Sequence, residues 1–148
     1  MLILGIDPGP TVSAWASWDS EDRQCCGSAT IGNQDFLDRM RNALIDTVCI
    51  EDVAFYGRVL NSETFETLRM IGRLQEIFPQ HRLVTFPVKA LHFCNARSKV
   101  TSGQIAQVLM ARYGNKGTKK QPGAFFGVSG HQWDAIACGI WLAEQETI

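Results

Sequence analysis

The first 32 residues hold three consecutive segments of strand character with no helical periodicity between them, and this opening limits the topologies open to the chain. "LILGID" (2–7) is almost wholly apolar, the mark of a strand covered on both faces. "TVSAWASWD" (11–19) alternates, with Val12, Ala14, Ala16 and Trp18 on one face. "QCCGSATI" (24–31) reads as a third strand. Strands this closely spaced form an antiparallel meander.

From Asn33 onward the pattern alternates. "NQDFLDRMRNALID" puts Phe36, Met40 and Ala43/Leu44 at helical spacing, with Asn33 as N-cap. "TVCIEDV" is a short β-branched strand ending in acids. "SETFETLRMIGRLQEIF" sets Phe65, Leu68, Ile71, Leu74 and Phe78 on one stripe, core or interface, between a cap at Ser62 and a stop at Pro79. "RLVTFP" is a fifth strand. "TSGQIAQVLMARYG" opens on the capping box Thr101/Gln104 and closes on Gly114. A glycine-rich basic loop, "GNKGTKKQPGAFFGVSG", leads to a last helix, "HQWDAIACGIWLAEQ", started by Ser129 or Gly130. Strand–helix alternation adds parallel strands to the meander. The expected fold is α/β: one mixed five-stranded sheet, three leading strands antiparallel and the later ones parallel, with helices on both faces. Residues 1–148 are expected to form one domain.

No apolar run approaches the roughly 20 residues of a membrane span. No basic segment precedes the short run at the N-terminus, so no signal peptide is expected. Cys25, Cys26, Cys49, Cys94 and Cys138 make an odd count without CxxC spacing, which argues against a zinc site or a disulfide framework. Cys49 and Cys138 sit in apolar segments as small core residues. A reducing, cytoplasmic compartment and no membrane partner are expected.

The net charge of −1 conceals a segregation: −6 over residues 1–55, +8 over 56–123 and −3 over 124–148. From Lys89 to Gly123 there are seven basic residues and no acidic one. An acidic part beside a basic part suits a protein that holds cations at one place and phosphates next to it; a solvated basic face is the plain alternative.

Four acids and bases stand out by position. Asp7 ends the first apolar strand, and Asp-Pro-Gly by itself also fits a β-turn. Glu51 follows "TVCI" as Asp7 follows "LILGI", so neighbouring strands would project the two carboxylates side by side; a strand-end acid in solvent is the alternative. Two close, desolvated carboxylates repel, and a divalent cation relieves both the repulsion and the burial. His131 and Asp134 stand at i and i+3 on the last helix, and Ala137, Cys138 and Trp141 continue that face onto the sheet. The helix dipole alone accounts for Asp134 but disfavours a cationic His131. Asp7, Glu51, His131 and Asp134 make a hard, oxygen-rich set suited to Mg²⁺ or Mn²⁺. Two such ions about 3.5–4 Å apart would stabilise both oxygens of an in-line phosphoryl displacement.

At these residues the chain resembles the RuvC-like Holliday junction resolvases of the retroviral-integrase, RNase H-like superfamily. "GIDPG" is similar to the family's first-strand motif, "IEDVAFYGRVLNS" to its second acidic strand and the loop beyond, and "HQWDAIACGI" to its last helix. The Lys-Lys-Gln-Pro-Gly loop looks more like phage or viral versions. The resemblance implies an RNase H-like fold and a Mg²⁺- or Mn²⁺-dependent endonuclease that cuts four-way DNA junctions by paired hydrolysis, leaving 5′-phosphates. It makes Asp7, Glu51, His131 and Asp134 the catalytic and metal-binding set for two ions per site, with His131 either a ligand or a group that orients water. Lys89 and Lys99, with Arg97 beside them, look like the family's DNA-contacting basic residues. Phe55 and Tyr56 fall where the family places an aromatic that inserts at the junction centre; Phe55 also reads as a core residue. Arg58 and Asn61 would contact the backbone in the same loop, and Lys116, Lys119 and Lys120 would add phosphate contacts. Branched DNA and a second copy of the chain, as a C2 homodimer, are the implied partners, with no small-molecule cofactor. Another branched-DNA or RNA nuclease of the superfamily, or an inactive junction-binding protein, shares most of these features. A sugar-kinase or actin-type ATPase shares "GIDPGPT" but needs two lobes, more chain than 148 residues provide.

Overall fold

In the computed structural model, which describes residues 1–57 and 60–147, β1 (Leu2–Asp7) is the middle strand of a five-stranded sheet. Its neighbours are β2 (Val12–Asp19), antiparallel, and β4 (Val48–Asp52), parallel. Outside them lie β3 (Gln24–Gly32), antiparallel to β2, and β5 (Arg82–Thr85), parallel to β4. The order β3-β2-β1-β4-β5 is the expected mixed sheet.

Both faces of β1 are covered, which is why "LILGID" does not alternate. On one face Leu4, Ile6, Val48 and Ile50 pack with Phe36, Leu37 and Met40 of α1 (Asn33–Met40) and Met70, Ile71 and Leu74 of α2 (Ser62–Ile77). On the other, Ile3, Ala14, Ala16, Trp18 and Cys49 meet α3 (Phe86–Cys94), α4 (Ser102–Tyr113) and α5 (Gln132–Glu146). Cys49 and Cys138 are fully buried here, as expected. Among the described residues no helix is long and apolar enough to cross a membrane.

Several local expectations are corrected. The first helix stops at Met40 rather than running to Asp46: the chain must turn back to start β4 beside β1, where Leu4 N–H donates to Thr47 O (3.0 Å), and Leu44 is left in solvent. Gly32, not Asn33, occupies the N-cap position. The Asn33 side chain instead donates to Gly9 O (2.9 Å) and accepts from Ser13 Oγ (2.7 Å), pinning the Pro-Gly-Pro turn that follows Asp7. Asn61, not Ser62, caps α2 by accepting from Thr64 N–H (2.8 Å). The α2 stripe is core only in its second half, because Phe65 and Leu68 lie beyond the sheet and are exposed. The "FP" of "RLVTFP" opens a helix, α3, rather than ending the strand; Pro87 falls in its first turn, where a missing N–H leaves no bond unmade. The last helix starts at Gln132, with His131 at the N-cap position making no side-chain capping bond.

α5 crosses β1 with no side chain between them. A Cβ on Gly5 would lie 1.8 Å from Ala135 O and 3.0 Å from Gly139 N. Gly5→Ala is therefore expected to push α5 off the strand and to destabilise by at least about 3 kcal/mol in urea unfolding. Gly72→Ala, at a helical position with open space, should instead stabilise by roughly 0.5–1 kcal/mol in the same measurement.

Candidate metal and nuclease site

The β1–β4 register pairs Gly5 with Cys49 and Ile6 with Ile50, so Asp7 and Glu51 come next, at the carboxyl ends of adjacent parallel strands. Both share the face of Ile3 and Cys49, the face that α5 covers. The Gly5–Ala135 contact sets the first turn of α5 directly over the end of β1. Asp134 therefore arrives beside Asp7, and His131 just before the helix does too.

Asp7, His131 and Asp134 each offer a ligand atom within 4.8 Å of the others. His131 Nδ1 lies 3.1 Å from Asp7 Oδ2 and 3.8 Å from Asp134 Oδ2. The imidazole is 78% exposed while the two carboxylates retain 17% and 11%, so the acids are desolvated and the histidine faces the open side. Ser102 Oγ donates to Asp134 Oδ1 (2.7 Å), fixing that carboxylate at the start of α4. Ser102 carries no signal of its own in the sequence, although it adjoins the capping-box Thr101.

Glu51 stands apart from that trio. Its Oε2 accepts from Lys89 Nζ (2.7 Å), and the same ammonium donates to Asp134 O (3.0 Å). Lys89 is 0% exposed, so the expectation that it contacts DNA is corrected: α3 turns it into the core as the internal counter-charge of the acids. Burial works against its charge, but Cys138, Glu51 and Asp134 together outweigh burial and hold its proton above the usual lysine range. Burial also raises Glu51 above the usual carboxylate range, with Lys89 pulling the other way. Asp7 is pushed up to about 7, first by burial and then by the charges of Glu51 and Asp134. One ammonium thus faces three carboxylates, and the site has room for more positive charge.

Asp7 and Glu51 also border a cleft of about 200 Å³ with Thr67, Phe86 and Tyr56. Phe55 and Tyr56 are 73% and 63% exposed, so Phe55 is not a core residue. Arg58 lies outside the described residues. Asn61 is occupied as the α2 cap. Arg97 and Lys99 are exposed in the α3–α4 connection, with Lys99 only three residues before Ser102. Lys116, Lys119 and Lys120 are exposed too, in the α4–α5 connection.

The fold has solved counterparts. It matches Thermus thermophilus RuvC over 99% of this chain and 98% of that one, at 14% identity and a TM-score of 0.71. T. thermophilus RuvC in complex with a Holliday junction substrate matches over 99% and 96%, at 14% identity and a TM-score of 0.69. The fowlpox virus resolvase in complex with substrate Holliday junction DNA matches over all of both chains, at 10% identity and a TM-score of 0.50. No family model matches the sequence, and no curated protein matches it. The chain has the RuvC-like, RNase H-like α/β fold, as its motifs led us to expect.

Proposed function

We propose that this chain is a structure-selective endonuclease that resolves four-way DNA junctions by divalent-metal-dependent hydrolysis of phosphodiesters. The observation that carries the proposal is the gathering of Asp7, His131 and Asp134, with Glu51 adjacent, at the strand ends of this fold. The donor set fits Mg²⁺ or Mn²⁺: carboxylate oxygens dominate, and among the described residues the only ammonium paired with these acids is that of Lys89. Asp7, His131 and Asp134 would hold such an ion, with Glu51 completing the set for a second. When bound, the metal supplies Lewis-acid polarisation of the phosphate and a water acidic enough to attack it near neutral pH.

The chain's own residues do the rest. Asp7 and Asp134 are fixed on a strand and a helix, so the site is built before substrate arrives. Lys89 holds the Glu51 carboxylate in position. His131, exposed and bonded to Asp7, is placed to take a proton from attacking water or to orient it. Phe55 and Tyr56 present faces on which an unpaired base at a branch point can stack, for about 1–3 kcal/mol each. Arg97 and Lys99, exposed in the α3–α4 connection, would hold flanking phosphates. A twofold dimer would bring two such sites to a symmetric junction; exposed Phe65 and Leu68 are consistent with a second copy packing there.

The test is cleavage of a labelled four-way junction with Mg²⁺ or Mn²⁺, beside a matched duplex, a flap and an RNA hairpin. Paired symmetric nicks on the junction alone are expected. Cleavage of the flap or RNA instead would keep the chemistry and replace the substrate. Tight junction binding without cleavage under any metal would reduce the protein to a binding module.

A further inference from the structure

The segment between α4 and α5 forms an element that the chemistry above does not use. Phe125 N–H donates to Asn115 O (3.3 Å) and Gly123 N–H to Lys116 O (2.9 Å), with a bridge between Gly117 and Pro122. At the tip Thr118 N–H donates to Gln121 O (3.0 Å), and Gln121 N–H to Thr118 Oγ1 (3.1 Å). This is a closed two-stranded hairpin rather than the open loop its composition suggests. Two glycines let its strands touch: a Cβ on Gly117, at φ +69°, would lie 2.3 Å from Gly123 N, and one on Gly123 would lie 2.1 Å from Asn115 O. The base is anchored in the core, where Phe125 is fully buried and stacks on Trp18 at 5.5 Å.

The hairpin carries Lys116, Lys119 and Lys120, all exposed. Among the described residues none of the three pairs with a carboxylate. Of the acids in the β2–β3 turn, Asp19 and Glu21 pair with the Met1 ammonium. Strand register fixes where the hairpin stands. Asp7 is level with Ala14, and Ala14 with Thr30, so Thr30 marks the height of the metal site on β3. The hairpin root joins β3 further down, where Cys25 N–H donates to Ala124 O (2.7 Å). With a rise of about 3.3 Å per residue and strands about 4.8 Å apart, the root lies roughly 20 Å from Asp7. The hairpin is thus rooted at the end of β3 away from the metal site.

We propose that the hairpin is a distal grip for a duplex arm, binding backbone phosphates about six base pairs or more from the branch point, given about 3.4 Å of rise per base pair. The proposal rests on the branched-DNA reading above and assigns a second contact region to it. Three ammoniums on a rigid support, without a planar guanidinium or an aromatic among them, suit sequence-independent contact with phosphates.

The experiment compares the full chain with Lys119→Ala/Lys120→Ala for binding to junctions with arms of roughly 20 base pairs and to loop-closed junctions with arms of roughly 5, across a salt series. On long arms the variant is expected to bind roughly tenfold more weakly, with a log–log salt slope flatter by about 0.9 for each phosphate no longer neutralised. On short arms the two proteins should bind alike. An equal loss on both arm lengths would place the lysines at the branch point and overturn the distal grip. No loss on either would remove the hairpin from DNA and leave an acidic protein as its partner. Failure of the nuclease reading shows separately, as an unmodified chain that grips long arms but cuts nothing.

Discussion

Asp7→Asn is expected to reduce junction cleavage by at least about 10³-fold while leaving junction binding intact or tighter. The substitution keeps the shape of the side chain and removes one of three carboxylates from a site that holds a single ammonium. Less negative charge near the scissile phosphate favours binding, and a weaker donor set no longer holds the metal. The same variant carries a stability signature that does not depend on substrate. Asp7 in the folded protein titrates at about 7, against 3.8 for an unperturbed group. The folded state therefore binds the proton more tightly than the unfolded state. Its contribution to stability is fully present below pH ~4 and is lost as pH rises through about 7, an effect on the order of 4 kcal/mol. With a chelator present, the unsubstituted protein should lose melting temperature across that window and Asp7→Asn should lose much less. Adding Mn²⁺ at pH 8 should restore the original protein and not the variant. Melting curves at pH 4.5 and pH 8 decide the matter; equal pH dependence in both proteins would remove Asp7 from the buried charge cluster.

Lys89→Met should cost about 3–5 kcal/mol in urea unfolding, because it leaves Glu51 without the cation that sits 2.7 Å away. Combining it with Glu51→Gln should recover most of that loss, since the amide needs no counter-charge. Cleavage should stay low in both, as Glu51 is then either unanchored or absent as a carboxylate. A salt series on Lys89→Met separates this role from DNA contact. A buried ammonium meets no phosphate, so the log–log slope should match that of the original protein. A slope flatter by about 0.9 would return Lys89 to the interface.

Most of the site is legible in the sequence because each member sits where local pattern is strong. Asp7 and Glu51 end apolar strands, and His131 and Asp134 bound the first turn of an apolar helix. The parallel pairing that makes the strands neighbours follows from the helix between them. Lys89 is not legible because α3 is not: Pro87 suggests the end of a strand, although a proline is also at home in a first helical turn. Without that helix nothing turns Lys89 inward. Ser102 is hidden in a similar way, since only the tertiary packing of α4 on α3 and α5 brings it to Asp134. The position of the basic hairpin escapes the sequence in another way. It closely precedes His131 in the chain, yet its root is held beside Cys25, five residues along β3 from Thr30, which is level with Asp7.

The bare contact between Gly5 and Ala135 governs when the protein can act, as well as where. A chain emerging from the ribosome displays Asp7 early, but the helix that must lie across β1 follows all five strands. Until α5 docks, one face of the central strand is uncovered and Asp134 is absent, so no nascent fragment short of α5 carries a working set of ligands. On the proposed reading, a nuclease assembled in this way would become competent only once α5 has closed over β1.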